Sequence, residues 1–303
     1  MVFLPKVLVV GEKSSEEYII EPLRKRFHTV VFAVPDEINL KAGERNEAFF
    51  NHIDLTSFSY ALFLPGSSKR EFYHALALIL HDAGVKVSVS METLLYIWHK
   101  PVLFRKLAGS GIPVRRIYAI SQDVAGEVIL KELKLPVIII PPSGKAVYVT
   151  KEETLRSVLS LFPAGHMVVA QKPMKVESTL VVFVSPRDFV AYERKGNSRK
   201  AVVPDDKAKE IAAKVREVID SDFCTVFLLK KGNRYVVSDV KLLPPFKTFK
   251  EVTGKDLGSI IASEIEEQLP SFDIGEFIGR MVEKFVRWVE RETGNIRPPA
   301  KGV

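Results

Sequence analysis

Short apolar runs alternate with stretches of helical spacing over the first hundred residues. Lys6 to Val10 (KVLVV) is a run of the kind a strand buried on both faces requires, and it stops at Gly11. From Glu16 to Phe27, residues Tyr18, Ile19, Leu23 and Phe27 fall on one helical stripe. His28 to Val34 is β-branched and closes at Pro35, and Tyr60 to Leu64 (YALFL) is stopped by Pro65-Gly66. Between Lys69 and Ala83, Phe72, Leu76, Ile79 and Leu80 recur with helical period, and Val85 to Val89 reads as another strand. This βαβαβ rhythm predicts a parallel sheet with helices on its faces.

The pattern changes further along. Leu135 to Ile140 predicts a strand, paired with Val147 to Val149 across a Pro-Pro-Ser-Gly-Lys turn. Thr150 and Glu153 have capping-box spacing for a helix to about Leu161. His166 to Ala170, Thr179 to Val184 and Phe189 to Glu193 predict strands, the last two joined by Ser185-Pro186-Arg187-Asp188. Asp205 caps a helix to Ile219, Cys224 to Leu229 and Tyr235 to Val240 form a hairpin, and Asp256 to Leu269 is helical. A final amphipathic helix, Glu276 to Glu292, carries Phe277, Met281, Phe285, Trp288 and Val289 on one face and Arg280, Lys284, Arg287 and Arg291 on another. It either docks on the body or makes a homodimer or partner contact. The fold class expected is an α/β N-terminal parallel-sheet domain followed by α+β subdomains with mostly antiparallel sheets.

Composition narrows the function classes. The 303 residues are 47% hydrophobic and 27% charged, ample for a core. Cys224 is the single cysteine, which excludes an internal disulfide and a cysteine-based zinc site. No apolar run approaches the ~18 residues of a membrane span, so no membrane partner and a cytoplasmic location are expected. Gln occurs only at positions 122, 171 and 268, a bias shared by proteins of hot environments. The net charge of +7 admits an anionic partner, whether a nucleotide, RNA, the ribosome or an acidic protein, and requires none. The turn after the first strand, Gly11-Glu12-Lys13-Ser14-Ser15, lacks the GxGxxG of a dinucleotide site. His74 and His81 share a helix face without a carboxylate in register, and Cys224 lies on an apolar strand, so neither is read as a reactive centre.

Lys100 to Pro113, KPVLFRKLAGSGIP, is similar to the entry motif of the ATP-grasp superfamily, and most like that of its RimK-type amino-acid ligases, with Lys100 eleven residues before Gly111. Lys241-Leu-Leu-Pro-Pro-Phe followed by Glu251-Val-Thr-Gly resembles the family's closing motif. The resemblance covers nearly the whole chain. It implies an N-terminal domain over 1–99, ATP-grasp-like subdomains over 100–170 and 171–270, and a C-terminal helix and tail over 271–303.

In such enzymes ATP phosphorylates a carboxylate and an amine attacks the acylphosphate. The resemblance places Lys100 on the phosphates and puts Ile140 where a second lysine is expected. The phosphate loop becomes Pro141 to Lys145, with Lys145 a candidate replacement cation. The adenine hinge falls at Ala170-Gln171-Lys172-Pro173, Lys172 standing where an acid is usual, and Arg194 matches a catalytic arginine. The magnesium positions become Phe227, Asp239 and Lys241, so that one oxygen ligand remains of three. The implied reading is a catalytically degenerate ATP-grasp-like protein, acting by binding or assembly, in which ATP has a place and Mg²⁺ is doubtful. Two alternatives stay open. One is an active ATP-dependent carboxylate–amine ligase working through Lys100, Lys145, Arg194 and Asp239. The other is an RNA- or ribosome-binding factor using Arg24-Lys25-Arg26, a flexible loop over 194–200 and the basic final helix.

Overall fold

A computed structural model describes residues 5–43, 46–66, 69–141, 146–163 and 165–269. The amphipathic segment at 276–292 and Lys145 lie outside the described residues. The N-terminal body contains β1 (Lys6–Gly11), α1 (Glu16–Arg24), β2 (Thr29–Ala33), a small antiparallel meander of β3 (Ile38–Lys41), β4 (Glu47–Phe50) and β5 (Ile53–Asp54), then β6 (Tyr60–Leu64), α2 (Arg70–Asp82) and β7 (Lys86–Val87). Its parallel sheet has the order β2-β1-β6-β7. Strand β1 is central and covered on both faces, which is why Val7 to Val10 are all fully buried. The meander had no counterpart in the apolar pattern, because its strands are short and half polar.

Two further helices, α3 (Met91–Tyr96) and α4 (Lys100–Gly109), lead to the central subdomain. There β8 (Tyr118–Ser121), α5 (Gln122–Val128), β9 (Val137–Ile140), β10 (Val147–Val149), α6 (Glu152–Leu159) and β11 (Met167–Gln171) build a sheet of order β10-β9-β11-β8. One face is covered by Ala125 of α5 and Leu155 and Val158 of α6, with Ile129 and Phe162 just beyond the helix ends. The capping box expected at Thr150 and Glu153 is not formed. Lys151 is the N-cap, in extended conformation and without a side-chain cap bond, because the helix begins one residue later.

The C-terminal subdomain contains β12 (Ser178–Val184), β13 (Phe189–Lys195), β14 (Ser198–Val202), α7 (Asp206–Val218), β15 (Cys224–Lys231), β16 (Arg234–Lys241), α8 (Phe246–Thr253) and α9 (Leu257–Gln268). Its antiparallel sheet runs β14-β13-β12-β15-β16. One face packs through Leu180, Val182, Val226 and Leu228 on Ala208, Ile211, Ala212 and Val215 of α7. On the other, Val181 and Phe183 pack on Phe246 and Phe249 of α8 and join the core containing α9. Residues 194–200, expected as a flexible loop, are a regular hairpin. Arg194 pairs with Arg199, and Gly196 (φ +59°) takes the first position of a two-residue turn.

Helix α9 returns to the N-terminal body and packs on α1. A Cβ at Gly258 would lie 2.0 Å from the Tyr18 carbonyl oxygen, so only glycine permits this approach. At its other end the buried Glu264 carboxylate accepts bonds from the Ser185 hydroxyl (2.9 Å) and from Arg187 Nε (3.2 Å), tying the β12–β13 turn to the helix. A second joint runs between the N-terminal sheet and β15. Tyr60 donates to Asp222 at 2.6 Å, Asp222 N–H donates to Ser88 carbonyl at 2.8 Å, and Thr93 bonds the Ile219 carbonyl.

Candidate functional site

Between these units lies a cleft of about 1180 Å³. The central sheet contributes Ile140, Met167 and Val169, with Phe162 and His166 beside it. The C-terminal sheet contributes Tyr192, Phe227, Asp239 and Lys241. The remaining wall is N-terminal: Glu12 from the end of β1, Pro65 and Gly66 from the end of β6, Arg70 from α2, and Trp98, His99 and Lys100 before and at the start of α4. Strands β1 and β6 are neighbours from which the chain winds in opposite directions, and the crevice at their carboxyl ends is the expected ligand position in such sheets. Glu12, Arg70 and Trp98 were not singled out from sequence. The switch-point rule applied to Gly11-Glu12 would have found the first.

A β-bulge aims Asp239 into the cleft. Leu228 pairs with Val237 but Phe227 pairs with Asp239, so Ser238 is the extra residue, its hydroxyl bonding the Phe227 carbonyl at 3.1 Å. Under strict alternation Asp239 would share the buried face of Val237. The bulge instead sets Asp239 and Lys241 on the cleft face beside Phe227 and Thr225, while Val237 and Val240 stay in the core.

The polar geometry is internally paired. Lys100 Nζ lies 3.4 Å from Asp239 Oδ1, and that oxygen also accepts the Val240 N–H at 3.1 Å. Lys241 Nζ sits 5.4 Å from the centroid of the Phe227 ring, within cation–π range. Arg70 stands over Trp98 at 5.7 Å. Burial raises the Tyr192 hydroxyl above its ordinary pKa, while the charges of Arg199 and Arg194 pull it down.

Of the residues singled out from sequence, the fold brings Lys100, Ile140, Phe227, Asp239 and Lys241 to the cleft. Gln171 is on the cleft face of β11 by alternation with Met167 and Val169, but it is buried and does not line the cleft. Arg194 does not line it either. It is exposed, two residues along β13 from Tyr192. Lys172 is turned away. Its ammonium donates to the Lys134 and Pro136 carbonyls at 2.7 and 3.2 Å, and its own carbonyl accepts from Arg115 at 2.6 Å, so it ties a loop and adds no charge to the cleft.

The donor set does not fit magnesium. Phe227 has no oxygen, Lys241 places a cation at the next position, and the remaining carboxylate is occupied by Lys100. Among the described residues no group of three His, Cys, Asp or Glu side chains could hold a metal ion. Cys224 is fully buried and its thiol is pushed up to about 12, which removes it as a nucleophile.

A parallel N-terminal sheet, two further sheets clasping a cleft, and helices crossing between them describe a known architecture. The chain has the ATP-grasp fold. It is similar to a RimK-domain ATP-grasp protein from Sphaerobacter thermophilus, with a TM-score of 0.68 and 20% identity over 85% of this chain and 98% of that one. The ATP-grasp ligase PsnB, solved with its minimal precursor, gives a TM-score of 0.67 and 15% identity over 88% and 99%. The D-alanine–D-alanine ligase of Bacillus anthracis, solved with ATP, gives 0.62 and 14% over 88% and 99%. No family model matches the sequence, and no curated protein matches it. Among the described residues no helix is long and apolar enough to cross a membrane.

Proposed function

We propose that this chain keeps the ATP-grasp cleft as a binding site for a nucleotide or a similar polyanion, held without magnesium, and acts by binding or assembly with no ligation step. The observation that carries this reading is the trio on β15 and β16. Phe227 stands opposite Asp239, Lys241 lies on the Phe227 ring, and Lys100 neutralises Asp239. An ATP-grasp ligase needs a divalent cation to bridge the phosphates and spread the charge of the transferring group. Here the Lys241 ammonium supplies a fixed positive charge and Phe227 a flat apolar surface. Such a site attracts phosphates but offers no metal to activate them.

Calorimetric titration of ATP with excess Mg²⁺, and again with a chelator, tests this. The expected result is equal affinity in both buffers, with Lys241→Ala weakening chelator-buffer binding by about 10–100-fold, the value of one charge-assisted hydrogen bond. Binding that requires Mg²⁺ and ignores Lys241→Ala, with ADP released in the presence of a carboxylate and an amine, would return the protein to the active ligases.

A further inference from the structure

We propose that the outer edge of β14 receives an acidic, extended segment of a partner chain as a sixth strand of the C-terminal sheet. Three observations converge there. First, among the described residues β14 pairs on one side only, with β13, and Ser198 to Ala201 are exposed. The two-residue turn makes Lys195 and Ser198 the closing hydrogen-bonded pair. Alternation then leaves Arg194–Arg199 and Tyr192–Ala201 as non-hydrogen-bonded pairs, so the N–H and C=O groups of Arg199 and Ala201 point outward. Among the described residues these groups have no partner.

Second, one face of the hairpin concentrates charge of one sign, while Glu193, opposite Lys200, lies on the other face. Arg194 and Arg199 are directly opposite on one face, in the closer type of pair, with Lys195 and Lys200 nearby. Among the described residues none of the four has a carboxylate within 4.0 Å. Two like charges face to face cost stability, and a carboxylate arriving beside them removes that cost. Third, Val203 follows on the same line at 88% exposure, an apolar foothold at the end of the edge.

Lysine on a sheet edge commonly prevents pairing between copies. The same charges exclude a second copy of β14 and select an acidic strand. The free, evenly spaced backbone groups favour a peptide over RNA, because a nucleic acid would use the cations and leave the ladder unpaired. Main-chain bonds would supply affinity and the arginines would select the sequence.

The test uses the full chain and a fluorescent peptide of about eight alternating Glu and Val residues, the length of an ordinary strand. Anisotropy is expected to show saturable binding that weakens about tenfold or more as salt rises from about 50 to 300 mM. Arg199→Glu is expected to weaken it at least about tenfold while leaving ATP titration unchanged. Ala201→Pro removes an outward N–H without touching the β13 ladder, and is expected to weaken binding as strongly with the circular dichroism preserved. A peptide N-methylated on alternate residues provides the same block from the ligand side, without altering the protein. Unchanged binding of the N-methylated peptide, or of the native peptide to a folded Ala201→Pro variant, would overturn strand addition in favour of a charge-only contact. Tight binding of a short RNA with no binding of the peptide would overturn it in favour of a phosphate surface.

Discussion

At the residue scale, the proposed function rests on two side chains that offer carbon and an ammonium where a metal site needs oxygen, Phe227 and Lys241. Phe227 is paired with Asp239 and contacted by Lys241, so the three form one local unit. Phe227→Asp with Lys241→Asn restores three oxygen-bearing residues on the same backbone positions. The double variant is expected to gain Mg²⁺ dependence of ATP binding, with affinity at least about tenfold higher in Mg²⁺ than in chelator by calorimetry. An unchanged profile would mean that some other feature of the cleft controls the metal. Sequence comparison by position identified this unit, but it could not show that Lys100 already neutralises Asp239, nor that Lys172 bonds a loop 36 and 38 residues away.

At the element scale, local signals were strong where a cap or an apolar run decided the structure and silent where pairing did. Asp205 was legible as the N-cap of α7, and its carboxylate accepts the Ala208 N–H at 2.9 Å. Burial pushes that carboxyl up. The Tyr235 hydroxyl and Ala208 N–H, with Lys230 and Lys207 nearby, outweigh it and leave the pKa below the ordinary value. A depressed carboxylate contributes stability above its unfolded pKa and loses it as pH falls through the folded one. Asp205→Ala is therefore expected to cost about 1–2 kcal/mol in urea denaturation at pH 7. The difference should shrink below about pH 4. The β13 strand is legible in the sequence, but β14 reads as a loop, because a strand built of Ser, Arg, Lys and Ala at a sheet edge has neither alternation nor β-branched enrichment to announce it.

At the scale of the whole molecule, the N-terminal sheet is locked to the C-terminal one through a largely buried polar joint. Burial raises the Asp222 carboxyl above its ordinary pKa, while the bond from Tyr60 and the charges of Lys86 and Arg216 act against that rise. For a carboxyl raised on folding, the favourable contribution is present below the unfolded pKa and is lost as pH climbs through the folded one. Asp222→Asn keeps an acceptor for Tyr60 and removes the buried charge. Its stability relative to the unsubstituted protein is expected to rise between about pH 4 and pH 7 in urea denaturation. A difference that is flat with pH would show that Asp222 does not titrate on this route. Tyr60 and Asp222 are 162 residues apart, so no local signal announces the joint.

By itself the sequence determined the layers. Continuous apolar runs can be satisfied only as strands covered on both faces, and helical stripes only against a sheet, so the parallel start and the antiparallel remainder followed from burial alone. The motif order also reached the fold and the identity of the cleft residues Lys100, Ile140, Phe227, Asp239 and Lys241. Only the tertiary structure decided which of those groups are free. The bulge at Ser238 turns Asp239 from the core face to the cleft, Lys100 neutralises it there, Lys172 spends its charge on backbone carbonyls, and Arg194 meets Arg199 across the β13–β14 pair. The physical reason is range. Hydrophobic burial is written in short periodicities along the chain. Hydrogen bonds and charge pairs are decided by which distant groups the packing brings within about 3–4 Å.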